Sequence, residues 1–293
     1  MTLIKKTRKD RLFFNIIVLK DAFIEYIKEG AFFHGAALAY YTLFALFPIL
    51  YLSIASFGEI VGREKMISII QQLFYDRVGI SDTDTIIDYL KVIDIGNGGW
   101  FIGIISVFVL LFACSAFLVS LKRSLNEFFG FTQNDGKNII LDLIRFRFLS
   151  VFLLAGFALL IILFYFLQIF VVSLLEHWVI SNNGFVNLSM SLFHHSLSIL
   201  SNVIIFWIMF KYVNDAKVLG IIALKGAFLT ALLLYGSQLG IKYYLQNYFF
   251  LGKSGIIGSL FILLAWVNYS AQIIFFGAKY TYVLQQRTEV KSC

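Results

Sequence analysis

The sequence predicts an all-α, polytopic membrane protein with six transmembrane helices, an interfacial amphipathic N-terminal helix and a small extracytoplasmic helical insertion. Three observations support this fold class. The chain of 293 residues is 60% hydrophobic and 14% charged, with a mean hydropathy of +0.84, whereas soluble domains contain about 25% charged residues. Its apolar runs are long enough to cross a hydrocarbon core of about 30 Å. Its basic residues are concentrated on one side of those runs.

Residues 1–30 are predicted to be a basic tail followed by an amphipathic helix. The tail, 1–11, reads MTLIKKTRKDR, and the helical pattern covers 12–29. One stripe of this helix is polar and consists of Asp21, Glu25, Lys28 and Glu29. Because these charges interrupt the apolar pattern too often for a span, we expect the helix to lie in the membrane interface.

Six apolar runs predict a membrane domain over residues 31–285. The predicted spans are about 31–57, 100–121, 148–175, 190–212, 219–241 and 255–282. A polar insertion at 58–98 follows the first span, and its segments 64–74 and 83–92 are predicted to be short helices. The remaining connections are predicted to be loops at 122–147, 176–188 and 242–254, with a turn at 211–217 and a tail at 286–293.

The distribution of lysine and arginine predicts the orientation of the chain. An even number of spans places both termini on the same side of the membrane. If that side is the cytoplasm, 18 of the 24 basic residues lie inside, with seven in 1–30 and five in 122–147, and six lie outside. This bias predicts cytoplasmic N- and C-termini and an extracytoplasmic insertion at 58–98.

The last predicted span carries two different stripes when its residues are placed at about 100° intervals. One stripe is mostly small and contains Gly255, Ser259, Trp266, Ser270, Gly277 and Thr281. The opposite stripe contains Asn268, Gln272 and Lys279. Polar groups that face lipid are costly, so both stripes are expected to face protein or water, in a helix central to its bundle. The alternative is that both stripes only pack against neighbouring helices.

Two other predicted spans contain small residues that favour close helix packing. Gly35 and Ala39 lie on one face of the first span, and Gly226 begins a similar face on the fifth. Pro48 is predicted to kink the first span, since it removes one backbone donor. His34, near the start of that span, is predicted either to anchor it at the interface or to line a cavity.

The residues argue against an enzyme. A metal-dependent nuclease needs carboxylates or histidines that converge on its ions, but the four histidines show no metal-binding spacing and the acids are concentrated at 58–98, outside the cell. The chain also has no GxSxG, phosphate-loop or CxxC motif. The sequence therefore predicts no catalytic residue, no metal site, no cofactor and no nucleic-acid partner.

Transport of a lipid-like or anionic amphiphilic substrate is the more specific of the functional hypotheses. The candidate substrate- or lipid-binding residues are Lys225, Asn268, Gln272 and Lys279 in membrane helices, with Arg123, Arg145 and Arg147 at the cytoplasmic edge. A basic rim suits anionic headgroups, and arginine binds phosphate through two hydrogen bonds. Two alternatives remain open: simple positive-inside anchoring of these residues, and a non-catalytic scaffold or accessory subunit in envelope biogenesis. Membrane lipids are the expected partners in each case.

Four segments of the chain, taken in order, resemble the YihY/BrkB family of bacterial inner-membrane proteins. These segments are GAALAYYTLFALFPIL, KRSLNEFFG, KYVNDAKV with LKGAFLTALLL, and SGIIGSLFILLAWVNYSAQIIFFGAKYT. The resemblance covers about residues 10–285. It implies a six-helix bundle in the bacterial cytoplasmic (inner) membrane with an interfacial N-terminal helix. A ribonuclease label once attached to the family is now regarded as a misassignment.

The chain departs from the family pattern at two places. The family usually has Pro-Asn in the turn after the fourth span, where this chain has Val213-Asn214. It commonly has an acid after the final Gly-Ala, where this chain has Lys279. A proton or cation site that depends on that acid therefore does not carry over to this chain.

Overall fold

A computed structural model describes residues 8–73, 100–131, 184–248 and 255–289, together with the single positions 156, 163 and 167. Within these residues every regular element is helical, which confirms the all-α class. The third predicted span, apart from those single positions, and the predicted helix at 83–92 lie outside the described residues.

The described residues form seven α-helices and one π-helical turn. The helices are α1 (Arg8–Lys28), α2 (Ala31–Val61), α3 (Arg63–Leu73), α4 (Trp100–Phe128), α5 (Gly184–Ile208), α6 (Gly220–Tyr248) and α7 (Gly255–Glu289), and the π-helical turn (Met209–Val213) extends α5. Helix α7 has 35 residues, and at a rise of 1.5 Å per residue it is about 52 Å long, which exceeds the hydrocarbon core.

Three glycines with positive φ separate the elements. Gly30 (φ 67°) lies between α1 and α2, and Gly62 (φ 98°) ends α2 with its N–H on the carbonyl of Gly58. Gly130 (φ 65°) ends α4, where Phe131 donates its N–H to the carbonyl of Asn126. Left-handed backbone favours glycine at such helix ends because it has no β-carbon.

The helices are longer than the predicted spans, and several of them extend into segments predicted to be loops. Helix α4 continues to Phe128 and α6 to Tyr248, and α7 continues through the first residues of the predicted tail to Glu289. Helix α5 begins at Gly184, inside the predicted loop 176–188. Hydropathy marks the segment that lies in hydrocarbon, whereas a helix continues until its backbone is interrupted, as at Gly130.

Three described helices are long and apolar enough to cross a membrane. They are His195–Val213, Gly220–Ile241 and Leu260–Glu289, and a shorter apolar helix covers Ala31–Leu46. The three long helices coincide with the fourth, fifth and sixth predicted spans. Helix α2 remains helical through Pro48.

Helix α7 contacts α1, α2, α4 and α6, as expected for a central helix. The largest core cluster joins these helices with α5, and at its centre the rings of Phe128 and Phe275 stack at 4.9 Å between centroids. A second cluster, which includes Leu50 and Ile70, packs α2 and α3 against α7. Helix α1 packs on α6 and α7 through Val18, among others. The core therefore surrounds α7.

Helices α6 and α7 cross closely through two matched pairs of glycine and threonine. A β-carbon at Gly226 would lie 1.7 Å from Oγ1 of Thr281, and one at Gly277 would lie 1.8 Å from Oγ1 of Thr230. The pairing order shows that the helices are antiparallel. Thr230 donates its hydroxyl to the carbonyl of Gly226 at 2.8 Å, and Thr281 donates to Gly277 at 2.7 Å. The hydroxyls are therefore satisfied within their own helices while the backbones approach.

We expect Gly226→Ala to lower the thermal unfolding midpoint of the detergent-solubilised protein. The new methyl group overlaps Thr281 and forces α6 and α7 apart, which should lower the free energy of unfolding by about 1–3 kcal/mol. Gly236→Ala is the matched control on the same helix, because a β-carbon at Gly236 meets no atom within 4 Å. Equal midpoints for the two variants would contradict the close crossing.

Candidate functional site at the junction of helices α1, α2 and α7

The side chain of Lys279 lies inside the protein, where α1 packs on α7. The residue is 1% exposed, and its Nζ lies 2.5 Å from Oε1 of Glu29 and 3.3 Å from Oε2 of Glu25. The same Nζ lies 4.5 Å from the ring centroid of Tyr282. Glu25 and Glu29 are four residues apart and so share one side of the helix. The buried cation is therefore neutralised by carboxylates from α1.

The charged form of the Glu29 carboxyl is disfavoured by its surroundings. Burial raises the pKa of its carboxyl above the usual value, and the hydrogen bond and charge of Lys279 only partly offset this. The nearby charges of Glu25 and Glu127 raise the pKa further. Its second oxygen, Oε2, is buried and has no hydrogen-bond partner among the described residues. An ion pair of this kind adds little to the free energy of unfolding, because the cost of removing both charges from water cancels much of their attraction.

A further ion pair extends the contact between α1 and α7. Arg287 donates to the carboxylate of Asp21, so that the acids at positions 21, 25 and 29 all pair with cations of α7. The order of the pairs shows that α1 runs antiparallel to the C-terminal part of α7. The acidic stripe of α1 thus faces the protein.

A chain of side-chain amides continues from this junction along α7. Tyr26 donates its hydroxyl to Oε1 of Gln272, and Nε2 of Gln272 donates to the carbonyl of Ala31 at 3.2 Å and to Oδ1 of Asn268 at 3.1 Å. Burial raises the pKa of Tyr26 to about 12, so it remains a donor at neutral pH. A β-carbon at Gly35 would lie 2.5 Å from both amides. Glycine at this position lets α2 approach the polar stripe of α7.

His34 joins α2 to α4 beside the same junction. Its Nδ1 lies 2.9 Å from Oγ of Ser124, and its Nε2 lies 3.4 Å from Oε2 of Glu127. Its ring meets Phe128 and Phe275 edge to face. The histidine is therefore held by α4 and α7.

The structure brings together only some of the predicted binding residues. Asn268, Gln272 and Lys279 meet α1 and α2, as described above. Lys225 is exposed on α6, beside Ile221 and Phe228, which are exposed as well. Arg123 is exposed on α4, and Arg145 and Arg147 lie outside the described residues. The two lysines therefore have different surroundings, one open and one buried.

The predicted packing residues also have different environments. Ala39 is buried and Ser270 is half-buried. Trp266 packs against the cluster that joins α2, α3 and α7, and its Nε1 is buried without a hydrogen-bond partner among the described residues. Pro48 lies within α2 and Ser259 lies within α7, and the structure describes only the backbone of these two residues.

Sequence reasoning missed the residues that α1 and α4 contribute to the junction. These residues are Glu25, Tyr26, Glu29, Ser124 and Glu127. A signal was present in the acids at 21, 25 and 29, since a repeat of four places them on one side of a helix. The spacing shows that these acids share one side of the helix, but no local pattern links that side to cations some 250 residues later.

Helix α7 is long and apolar enough to cross a membrane, other helices pack around it, and its buried lysine is paired with a carboxylate of α1. This arrangement is that of a helical integral membrane protein. Among the residues that the structure describes, no group of three or more histidine, cysteine, aspartate or glutamate side chains is placed to hold a metal ion. The chain belongs to the family described as Virulence factor BrkB, whose model matches residues 22–292, which confirms the resemblance stated above. No curated protein and no solved structure matches the chain.

Removal of the buried cation should destabilise the protein. We expect Lys279→Met to cost about 3 kcal/mol, because it leaves the carboxylates of Glu25 and Glu29 together without a counter-ion. The triple variant Lys279→Met/Glu25→Gln/Glu29→Gln should recover most of this loss. Thermal unfolding in detergent measures both. A triple variant as unstable as Lys279→Met alone would contradict the electrostatic origin of the loss.

The raised pKa of Glu29 predicts a dependence of stability on pH. Since the folded protein holds this proton more tightly than the unfolded chain does, the contribution of Glu29 to stability falls as the pH rises above the ordinary value of 4.5. Glu29→Gln imitates the protonated form, although it also leaves Lys279 with Glu25 as its carboxylate partner. We expect its unfolding midpoint to exceed that of the wild type at pH 8, with a smaller difference at pH 5. A midpoint difference that is constant with pH would refute the prediction.

Proposed function

We propose that this membrane protein is a transporter or flippase-like protein for a lipid-like or anionic amphiphilic substrate, with Lys279 as the cation that binds the headgroup. One observation supports the proposal above the others. The counter-ions of the buried Lys279 lie on α1. Among the described helices, α1 is not one of those long and apolar enough to cross a membrane.

An anionic headgroup can replace these carboxylates without leaving the lysine unpaired. Phosphate can accept the charge-assisted hydrogen bond from Nζ that Glu29 accepts, and its charge can replace that of Glu25. The exchange is assisted by the burial cost of Glu29, whose charged form is disfavoured. The substrate would then reach Lys279 when α1 moves away from α7, and the amides of Gln272 and Asn268 would lie next along its path.

The proposal includes the orientation inferred from the basic residues. With both termini in the cytoplasm of a bacterial cell, the C-terminal end of α7 lies at the inner leaflet. Lys279 is ten residues before Glu289, the end of α7, about 15 Å along the helix. An anionic headgroup would therefore meet it from the cytoplasmic side.

A scaffold or accessory subunit in envelope biogenesis is the second candidate, and a specific observation favours it. Gln272 directs its hydrogen bonds to Tyr26, Ala31 and Asn268, as expected when polar residues only join helices. In that case Lys279 and its acids fix α1 in place and bind no substrate.

Native mass spectrometry of the detergent-purified protein, with phosphatidylglycerol as the probe, distinguishes these functions. We expect the wild type to retain one phosphatidylglycerol and Lys279→Met to lose it. Glu25→Gln/Glu29→Gln should retain more than the wild type, because it frees the cation. Lys225→Met is the matched control, since it removes an exposed lysine from another helix.

Lys279→Met is expected to lose lipid, whereas Glu25→Gln/Glu29→Gln is expected to gain it. These opposite effects separate binding from unfolding, because a misfolded variant would not gain lipid. Equal lipid retention in all four proteins, at equal folded fractions, would overturn the assignment of Lys279 and favour the scaffold. A loss in Lys225→Met as large as that in Lys279→Met would place the lipid elsewhere on the protein.

A further inference from the structure

The corner between α1 and α2 has a large exposed apolar surface. We call it the corner patch, and it consists of Phe23, Ile24, Ile27, Phe32 and Phe33. Each of these residues is between 41% and 83% exposed. The left-handed turn at Gly30 brings the end of α1 and the start of α2 together here. Soluble surfaces seldom gather so many large apolar side chains, so the corner patch is expected to have a partner.

The charges of α1 are divided between its two sides. The acids Asp21, Glu25 and Glu29 are paired with Arg287 and Lys279 of α7. The basic residues Lys20 and Lys28 are exposed, on the side where Phe23, Ile24 and Ile27 are also exposed. The outer side of α1 is therefore apolar and positively charged, because its negative charges are neutralised on the inner side.

We propose that the corner patch inserts into an anionic membrane leaflet, with Lys20 and Lys28 on the lipid phosphates. Apolar side chains bordered by lysine are the composition of helices that lie in the headgroup region. Long lysine side chains extend to phosphates while their carbon chains remain in the apolar layer. The polar stripe identified in the sequence is thereby divided, with its acids paired with α7 and Lys28 exposed on the outer side.

Charge complementarity favours lipid over a protein partner at the corner patch. A polybasic surface gains attraction from each lysine close to an anionic leaflet, and two lysines correspond to a preference of about tenfold or more over neutral lipid. The inner position of the acids removes the repulsion that an anionic surface would otherwise meet. Phe32 and Phe33 belong to the apolar first half of α2, so the corner patch is continuous with an apolar helix.

Site-specific fluorescence quenching tests the proposal on the full-length protein. A fluorophore is attached through Phe33→Cys, in a background with Cys114→Ala and Cys293→Ser, after reconstitution in equimolar phosphatidylcholine and phosphatidylglycerol. Brominated lipid should quench it, and aqueous iodide should not. Brominated phosphatidylglycerol should be preferred about tenfold over brominated phosphatidylcholine. Glu64→Cys on the exposed side of α3 is the aqueous control, and it should respond to iodide.

The charged rim is tested by Lys20→Gln/Lys28→Gln, which should abolish the preference for phosphatidylglycerol. Lys65→Gln/Lys217→Gln removes the same charge at exposed positions elsewhere and should leave the preference intact. Quenching of position 33 by iodide as strong as at position 64 would overturn the proposal. A label that neither quencher reaches would show a protein partner instead, such as a second copy, and would also overturn it. Equal quenching by the two lipids would refute the anionic preference.

Discussion

The neutralisation of Lys279 inside the protein is the constraint on which the junction depends. A cation that is 1% exposed requires counter-ions in contact, since an unpaired buried charge costs several kcal/mol. Glu25 and Glu29 meet this requirement only if α1 lies along α7 with its acidic side inward. That position in turn places Tyr26 on Gln272 and directs the apolar outer side of α1 away from the protein.

Helix α7 satisfies its polar groups differently on its two sides. Towards α6, the hydroxyl of Thr281 bonds to its own helix, and Gly277 leaves room for Thr230, so the contact needs no polar partner from α6. Towards α1 and α2, the amides and the ammonium group bond to groups of other helices. The first kind of contact depends on shape and the second on charge. Only the second can be exchanged for a ligand of suitable charge.

The sequence predicted the two sides of α7, because helical spacing alone places Gly277 and Gln272 on different faces. It did not predict the counter-ions, since a contact between Glu29 and Lys279 spans 250 residues and leaves no local pattern. Lys225 and Lys279 illustrate the limit. Both are lysines in apolar helices, yet one is exposed and the other is buried. Local hydropathy does not distinguish them, because burial depends on which helix packs alongside.

The two proposals are linked by the electrostatics of α1. An anionic leaflet attracts Lys20 and Lys28 and repels Asp21, Glu25 and Glu29, so it favours the docked position in which those acids face α7. Release of Lys279 to a substrate would expose carboxylates to that leaflet unless they first bind protons. Burial raises the pKa of Glu29 in the docked position, so the docked protein binds this proton more tightly than a state in which α1 has moved away from α7. Acidification therefore stabilises docking, and headgroup exchange at Lys279 would be favoured as the pH rises and the buried carboxyl of Glu29 becomes charged.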